Sequence, residues 1–378
     1  MLRDLFPVTK NLIYLNSAAV GPLSIPAAEA MQRFAADQRD FGALHWKEWY
    51  REYDRLRESA ARLIGGTPEE IAILKNTSEG LAFVAEGLRW TAGDNVITTD
   101  LEFPSNSTPW RNLDKRGVET RFVRSTDGAF TPAGVEAMID ERTRLVTVSY
   151  VAFHNGFRAD IEAIGEICDR RGVLFCVDAI QGVGVLPTDV RRAKVSFLAA
   201  DGHKWICGAE GAAIFYVAKE HLGELEVMEH GWMNFSRMGR FIDCPMDYLP
   251  SARRFEGGSL NSAGIHATRA AIDLLLEVGI ETISEYVIGL ATRFAERLEA
   301  IGWAVATPRP IRSGIVAAIP PAVEPSLLQW HRKLEENGVI CAPREGYLRF
   351  APHLFNEDAE IDRVIELLEC GGGAAAFK

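Results

Sequence analysis

The chain has 378 residues, 47% hydrophobic and 25% charged, enough apolar material for two domains or for one large α/β domain with an appendage. Its formal net charge of -11 argues against a nucleic-acid partner, which would call for a basic stripe. No apolar run is long enough to span a bilayer, and Met1-Leu2-Arg3-Asp4-Leu5-Phe6-Pro7 lacks the apolar stretch of a signal peptide, so no membrane association and a cytoplasmic location are expected.

Residues 27–62 carry a helical pattern rich in charge and aromatics that ends at Gly65-Gly66. A short apolar run, Ile71 to Leu74, precedes Asn76-Thr77-Ser78-Glu79-Gly80, which opens another helix. Strand-like runs follow at 95–98, 120–123, 145–151, 173–177, 197–200 and 212–217, with helical segments such as 160–171 between them. Short buried strands alternating with helices predict a mostly parallel sheet covered on both faces. Residues 228–258 read as a long irregular excursion. Helical periodicity resumes near Ile265 and again over 283–300, and a proline-punctuated strand-and-helix pattern after Gly302 predicts a smaller α+β unit. The low-complexity tail at 371–376 is expected to fray. Six cysteines, at 168, 176, 207, 244, 341 and 370, form no CxxC pair and read as reduced core thiols, with no metal site expected.

Chemistry gathers around one lysine. The run Ser196-Phe197-Leu198-Ala199-Ala200 stops at the polar turn Asp201-Gly202-His203-Lys204-Trp205. Desolvation among apolar neighbours lowers a lysine pKa and leaves a free amine, which imine formation with a carbonyl requires. Alone, Lys204 reads equally as a surface residue beyond a strand. Asp178 ends the strand 173–177, at the carboxyl edge where open α/β sheets hold ligands, although a lone strand-end aspartate also caps turns. Gln181 follows three residues on. Thr77 and Ser78, at a helix start, offer hydroxyls and free N–H groups to a phosphate, or a plain N-cap. Gly182-Val183-Gly184 resembles part of a dinucleotide loop, but the third glycine and the acidic partner are missing.

Taken together, a strand-end Asp, a Gln three on and a His-Lys pair after the next strand suit pyridoxal 5′-phosphate. In these residues the chain resembles the class V aminotransferase family of fold-type I enzymes. That group contains cysteine desulfurases, selenocysteine lyases and isopenicillin-N-epimerase-like proteins. The resemblance runs from Tyr14-Leu15-Asn16 to Arg349-Phe350-Ala351-Pro352-His353. Its segments include Lys75-Asn76-Thr77-Ser78-Glu79-Gly80, Glu102-Phe103-Pro104-Ser105-Asn106, Val177-Asp178-Ala179-Ile180-Gln181-Gly182, Asp201-Gly202-His203-Lys204-Trp205 and Phe255-Glu256-Gly257-Gly258-Ser259-Leu260-Asn261.

The resemblance implies an α/β fold of PLP fold type I. A large domain at 16–262 would carry a mostly parallel seven-stranded sheet, and 1–15 with 263–378 would form a smaller α+β domain. It implies that Lys204 bonds the cofactor, Asp178 pairs with its ring nitrogen and Gln181 meets its phenolic oxygen. Thr77, Ser78 and His203 would bind the phosphate, Phe103 would stack over the ring, and Arg349 would take the substrate carboxylate. Ser259 would reach the cofactor of a neighbouring subunit in a homodimer.

Several positions depart from the desulfurase pattern. Phe103 stands where desulfurases carry a stacked histidine, and a phenyl ring can stack but cannot carry a proton. Phe153 replaces an asparagine, and Asp201 replaces a serine that faces the phosphate, so Asp201 must turn away or the phosphate network must differ. Cys341, the one candidate for a desulfurase nucleophile, lies in a strand–turn–strand pattern rather than on a mobile loop, and reads as a packed strand residue. The expected activity is therefore Cα–H chemistry on a small-molecule α-amino acid. Aminotransferase is the first choice, with epimerase or cysteine desulfurase/C–S lyase as alternatives. A nicotinamide oxidoreductase, resting on Gly182-Val183-Gly184, and a non-catalytic binding module are the competing classes. The sequence assigns no role to His154 or Trp232.

Overall fold

The computed structural model describes residues 2–236, 242, 246–322 and 325–369; the tail at 371–376 lies outside them. After β1 (Ile13–Tyr14), two long helices, α1 (Ile25–Phe41) and α2 (Trp46–Ile64), stand where the pattern predicts one continuous helical stretch. The break falls at Gly42, whose φ of 57° lies where side-chain-bearing residues are strained and whose N–H caps the Gln38 carbonyl.

The large sheet is built from β2 (Ile71–Leu74), β3 (Asn95–Thr99), β4 (Glu119–Val123), β5 (Thr143–Ser149), β6 (Leu174–Asp178), β7 (Phe197–Asp201) and β8 (Ala213–Val217). Its order is β2-β8-β7-β6-β5-β3-β4. Five strands from β7 through β4 run parallel, and β8 is antiparallel to both β7 and β2. The mostly parallel seven-stranded sheet is thus as the sequence predicts.

Strand residues alternate between two apolar cores. Ile71, Ile73, Leu198 and Ala200 join one, while Ala72, Leu74, Phe197 and Ala199 join the other. Burial on both faces explains why these strands read as continuous apolar runs. Helices α3 (Thr77–Gly87), α4 (Thr108–Arg111), α5 (Pro132–Glu136) and α6 (Ile161–Arg171) fill the connections. Gly80 lets α3 sit close on the sheet, because a Cβ there would stand 2.9 Å from the Ala199 Cβ and 3.0 Å from the Phe215 ring. The N-terminus of α3 therefore opens at the carboxyl end of β7.

Beyond the large sheet come α7 (Ser262–Val278) and α8 (Ile280–Ala300), then β9 (Ala304–Val305), β10 (Val316–Ile319), α9 (Leu327–Glu336), β11 (Val339–Ile340), β12 (Ala342–Arg344), β13 (Tyr347–Phe350) and α10 (Asp358–Glu369). Four of these strands form a second sheet in the order β12-β13-β10-β9. A third core, including Phe294, Trp303, Trp330 and Phe350, lies around them. The N-terminus joins this part of the chain: β1 pairs in parallel with β11, and the Ala351 N–H donates to the Leu15 carbonyl at 2.7 Å. That pairing carries residues 16–20 toward the ends of β6 and β7. Among the described residues, no helix is long and apolar enough to cross a membrane.

One buried ion pair ties α2 to the segment 255–261. The Arg57 guanidinium donates to both Glu256 carboxylate oxygens, at 3.2 and 2.5 Å, and the Ile73 N–H donates to Glu256 at 2.9 Å. Both side chains are fully buried. Breaking such a pair leaves an uncompensated buried charge, which typically costs about 3–5 kcal/mol. Glu256→Ala is accordingly expected to lower the denaturant midpoint markedly, with the lower end of that range favoured because Arg57 also reaches Asp54 at 2.7 Å. An unchanged midpoint would contradict this account of the segment.

Candidate active site

The turn that carries Lys204 is fixed from several sides. The Cys207 N–H donates to the Lys204 carbonyl at 3.0 Å, Gly208 N–H to the Gly202 carbonyl at 2.8 Å, and Gly21 N–H to the His203 carbonyl at 2.6 Å. Trp205 anchors it further: its indole N–H donates to Gln181 Oε1 at 2.7 Å, and its carbonyl meets His353 Nε2 at 2.8 Å. Burial with an opposing pull from Asp178 brings the Lys204 pKa down to about 8. The amine is therefore freed at a far lower pH than an ordinary lysine, although below about pH 8 it is still mostly protonated.

Lys204 opens into a cavity of about 370 Å³ at the carboxyl ends of β6 and β7. Asp178, Gln181, His203, Thr77, Ser78, Phe103 and Arg349 line it as well. Eight of the nine residues that the sequence singles out as a site are therefore brought together. The ninth, Ser259, borders a separate cavity of about 230 Å³ beside Lys75 and Glu229.

Asp178 is buried at the end of β6, and desolvation lifts its pKa to about 6 against the pull of Lys204 and a 3.2 Å hydrogen bond from the Ile180 N–H. Gln181 spans the wall, donating from Nε2 to the Ala18 carbonyl at 2.9 Å. An indole N–H only donates and a carbonyl only accepts, so these two partners fix which end of the amide faces which. The remaining Nε2 hydrogen is left over by that arrangement.

The helix start differs in detail from the sequence reading. Asn76, not Thr77 or Ser78, is the N-cap of α3, accepting from the Glu79 N–H at 2.9 Å. Thr77 and Ser78 occupy the first two helical positions, where backbone N–H groups have no partner within the helix. Thr77 Oγ1 accepts from the Asp201 N–H at 3.0 Å, which leaves its own hydrogen to donate. The Ser78 and Ser105 hydroxyls lie 2.7 Å apart.

Asp201 turns its carboxylate back on its own loop. One oxygen accepts from the Gly202 N–H at 2.7 Å and the other lies 2.9 Å from His203 Nδ1. The close His203 approach is misaligned for hydrogen bonding, and Nδ1 is left without a partner.

Arg349 is 2% exposed and donates to the Phe153 carbonyl at 2.7 Å, while its Nε has no partner. Burial and the neighbouring Arg344 bring its pKa down to about 10, so it stays a cation at neutral pH. Phe103, 42% exposed, lies over the cavity with its ring centroid 5.7 Å from Lys204 Nζ and meets Phe153 edge-on at 5.1 Å.

Cys341 is buried between β11 and β12 in the third core, with burial pushing its thiol up to about 12. It does not line the cavity, and no cysteine among the described residues does. The reading of Cys341 as a packed residue agrees with this. His154 stacks on Tyr347 with ring centroids 6.2 Å apart.

Glu102 was not singled out from the sequence. It is a buried carboxyl with its pKa raised to about 7 by desolvation. It accepts from the Ser149 N–H at 3.0 Å, Asn106 Nδ2 at 2.7 Å and the Thr99 hydroxyl at 2.8 Å. Ser149 pairs with Asp178 across β5 and β6, so Glu102 clamps the Phe103 turn onto the strand beside Asp178. Its one signal in the sequence is an acid flanked by Leu101 and Phe103 just past a buried strand.

The model of the family described as aminotransferase class-V matches residues 13–342. The uncharacterised aminotransferase YcbU of Bacillus subtilis is 32% identical over 364 residues, covering 96% of this chain and 95% of that protein. A probable cysteine desulfurase of Methanothermobacter thermautotrophicus is 34% identical over 295 residues, covering 75% of this chain and 71% of the other. The apo structure of the cysteine desulfurase from Thermococcus onnurineus NA1 matches with a TM-score of 0.90 and 26% identity, covering 97% of this chain and 96% of that one.

Proposed function

The chain belongs to the class-V aminotransferase family, and from that premise we propose that it is a pyridoxal-phosphate enzyme of fold type I that transfers the amino group of an α-amino acid. The observation that carries this reading is the enclosure of Lys204, Asp178 and Arg349 in one cavity at the sheet's carboxyl edge. The residues present suit the cofactor. A buried amine with a lowered pKa, a buried carboxyl, a helix start with spare N–H groups and the unpartnered Nε of Arg349 supply the donor set it needs.

Pyridoxal phosphate supplies a carbonyl that captures amines and a ring that delocalises the electron pair left when a Cα–H bond breaks. Lys204 would hold the cofactor through Nζ, and its amine would be the base placed to take the α-proton. Asp178 holds a proton at the ring nitrogen, and the Coulombic attraction between the two keeps its carboxyl ionised. Gln181 donates its spare Nε2 hydrogen to the phenolic oxygen. The first turn of α3, with Thr77, Ser78 and His203, holds the phosphate. Phe103 covers the ring and excludes water. Arg349 binds the substrate carboxylate through its guanidinium fork.

Amino transfer is preferred to sulfur abstraction because Phe103 cannot relay a proton and Cys341 is buried away from the cavity. The check is to incubate the loaded enzyme with amino acids and a keto acid, and separately to measure alanine and persulfide from cysteine in wild type and Cys341→Ser. Keto-acid-dependent transfer is expected. Strong persulfide output that disappears in Cys341→Ser would restore the desulfurase reading.

The same proposal includes a cytoplasmic homodimer. Ser259 faces a cavity other than the one around Lys204 in its own chain, so a part at the cofactor requires a second copy. Light scattering is expected to give twice the chain mass; a monomer fully loaded with cofactor would contradict composite sites.

A further inference from the structure

The cavity has a second guanidinium, and its position follows from the register of the β12–β13 hairpin. Across the hairpin Ala342 faces Arg349, Pro343 faces Leu348 and Arg344 faces Tyr347. Because strand side chains alternate between faces, Ala342, Arg344, Tyr347 and Arg349 all project from the same side of the sheet. Arg344 and Arg349 are diagonal neighbours on that side, a relation that sets residues about 7–8 Å apart. The tight turn Glu345-Gly346, with both residues at positive φ, fixes this register.

Both arginines line the cavity that holds Lys204. Arg349 is buried, while Arg344 is exposed at the rim and hydrogen-bonds only its neighbour, the Pro343 carbonyl, at 2.8 Å. Among the described residues its guanidinium is in no ion pair, and its hydrogen bond is to a backbone carbonyl. The two carboxylates lining the cavity are occupied elsewhere: Asp178 lies with Lys204 and the Ile180 N–H, and Asp201 with Gly202 and His203. Ala342, the strand partner of Arg349, carries no polar group, and Tyr347, the strand partner of Arg344, stacks on His154. The result is a pair of same-face cations lining one cavity, with Arg344 in no ion pair with a carboxylate of the described residues.

We propose that Arg344 binds a second anionic group on the substrate, so that the enzyme acts on α-amino acids with an acidic side chain. This rests on the cofactor reading above. Arg349 takes the α-carboxylate, and Arg344 takes a carboxylate or sulfinate at the end of the side chain. A charge-assisted, forked contact of this kind favours an acidic side chain over an apolar one, and like charge disfavours a basic one.

The test is titration of the cofactor-loaded enzyme, followed by visible absorbance and by calorimetry. The probes are aspartate, glutamate and cysteine sulfinate, with 2-aminobutyrate and norvaline as apolar isosteres. At least ~10-fold tighter binding of an acid than of its isostere is expected, in line with hydrogen bonds to charged groups. In Arg344→Ala that ratio should fall to near one, with Arg344→Lys between. Tightest binding of cysteine sulfinate would assign the acid as a sulfur acid; tightest binding of aspartate or glutamate would assign a carboxylate. Isosteres that perturb the spectrum as strongly as the acids, or a preference that survives Arg344→Ala, would overturn the proposal and leave the cofactor site standing. A loaded enzyme whose spectrum no amino acid perturbs would overturn both.

Discussion

Lys204→Ala is expected to purify without the visible absorption of a lysine-bound cofactor and to lose turnover by several orders of magnitude. The reason lies in its environment: burial brings the amine down to about 8, and the turn around it is pinned by Cys207, Gly208 and Gly21. Since the folded pKa lies below the ordinary lysine value, the amine is protonated below about pH 8 and free above it. Capture of pyridoxal phosphate by the cofactor-free protein should therefore quicken as pH rises to about 8 and then level off. The alanine variant should show no such step while melting near the wild-type temperature, because removing a desolvated amine relieves a burial cost. Retained absorption and turnover in Lys204→Ala would remove the lysine from its assigned role.

Asp178→Ala is the second large effect. The carboxyl is 2% exposed at the end of β6, and burial holds its pKa at about 6 when only Lys204 and the Ile180 N–H oppose that cost. In the proposed role its loss removes the carboxylate that would keep the cofactor ring nitrogen protonated. Single electrostatic groups at such positions are typically worth ~10²–10³ in rate. The variant should still bind cofactor covalently through Lys204 yet turn over at least ~10²-fold more slowly. Asp178→Asn, which conserves shape without charge, should fall with it. The direct readout is the single-turnover rate, and an unchanged rate in both variants would contradict the role.

The sheet and the residues at its carboxyl edge were legible because burial on both faces writes each parallel strand as an apolar run that stops at a polar residue. Asp178 and Asp201 end two such runs, and β6 and β7 are neighbours in the sheet. Helix periodicity was less informative at its interruptions. The pattern over 27–62 continues through Gly42 because the residues on either side keep their amphipathic spacing, and only the backbone turn at that glycine separates α1 from α2. Likewise Asn76, Thr77 and Ser78 are all good capping residues, so composition alone does not say which of them stands at the helix boundary.

Arg344 and Glu102 were hidden for a different reason. Nothing local marks Arg344 as sharing a face with Arg349; that depends on a two-residue turn and on strand register. Glu102 depends on long-range partners, Ser149 above all, whose N–H and hydroxyl both reach it from another strand. Ser259 borders a cavity distinct from that of Lys204, which its sequence context did not reveal.

The most direct test is chemical trapping. The purified, cofactor-loaded protein is reduced with borohydride, digested, and its peptides are mapped by mass spectrometry. The account predicts one phosphopyridoxyl group per chain, on Lys204 alone. Label on another lysine, or none on Lys204 in fully loaded protein, would contradict it.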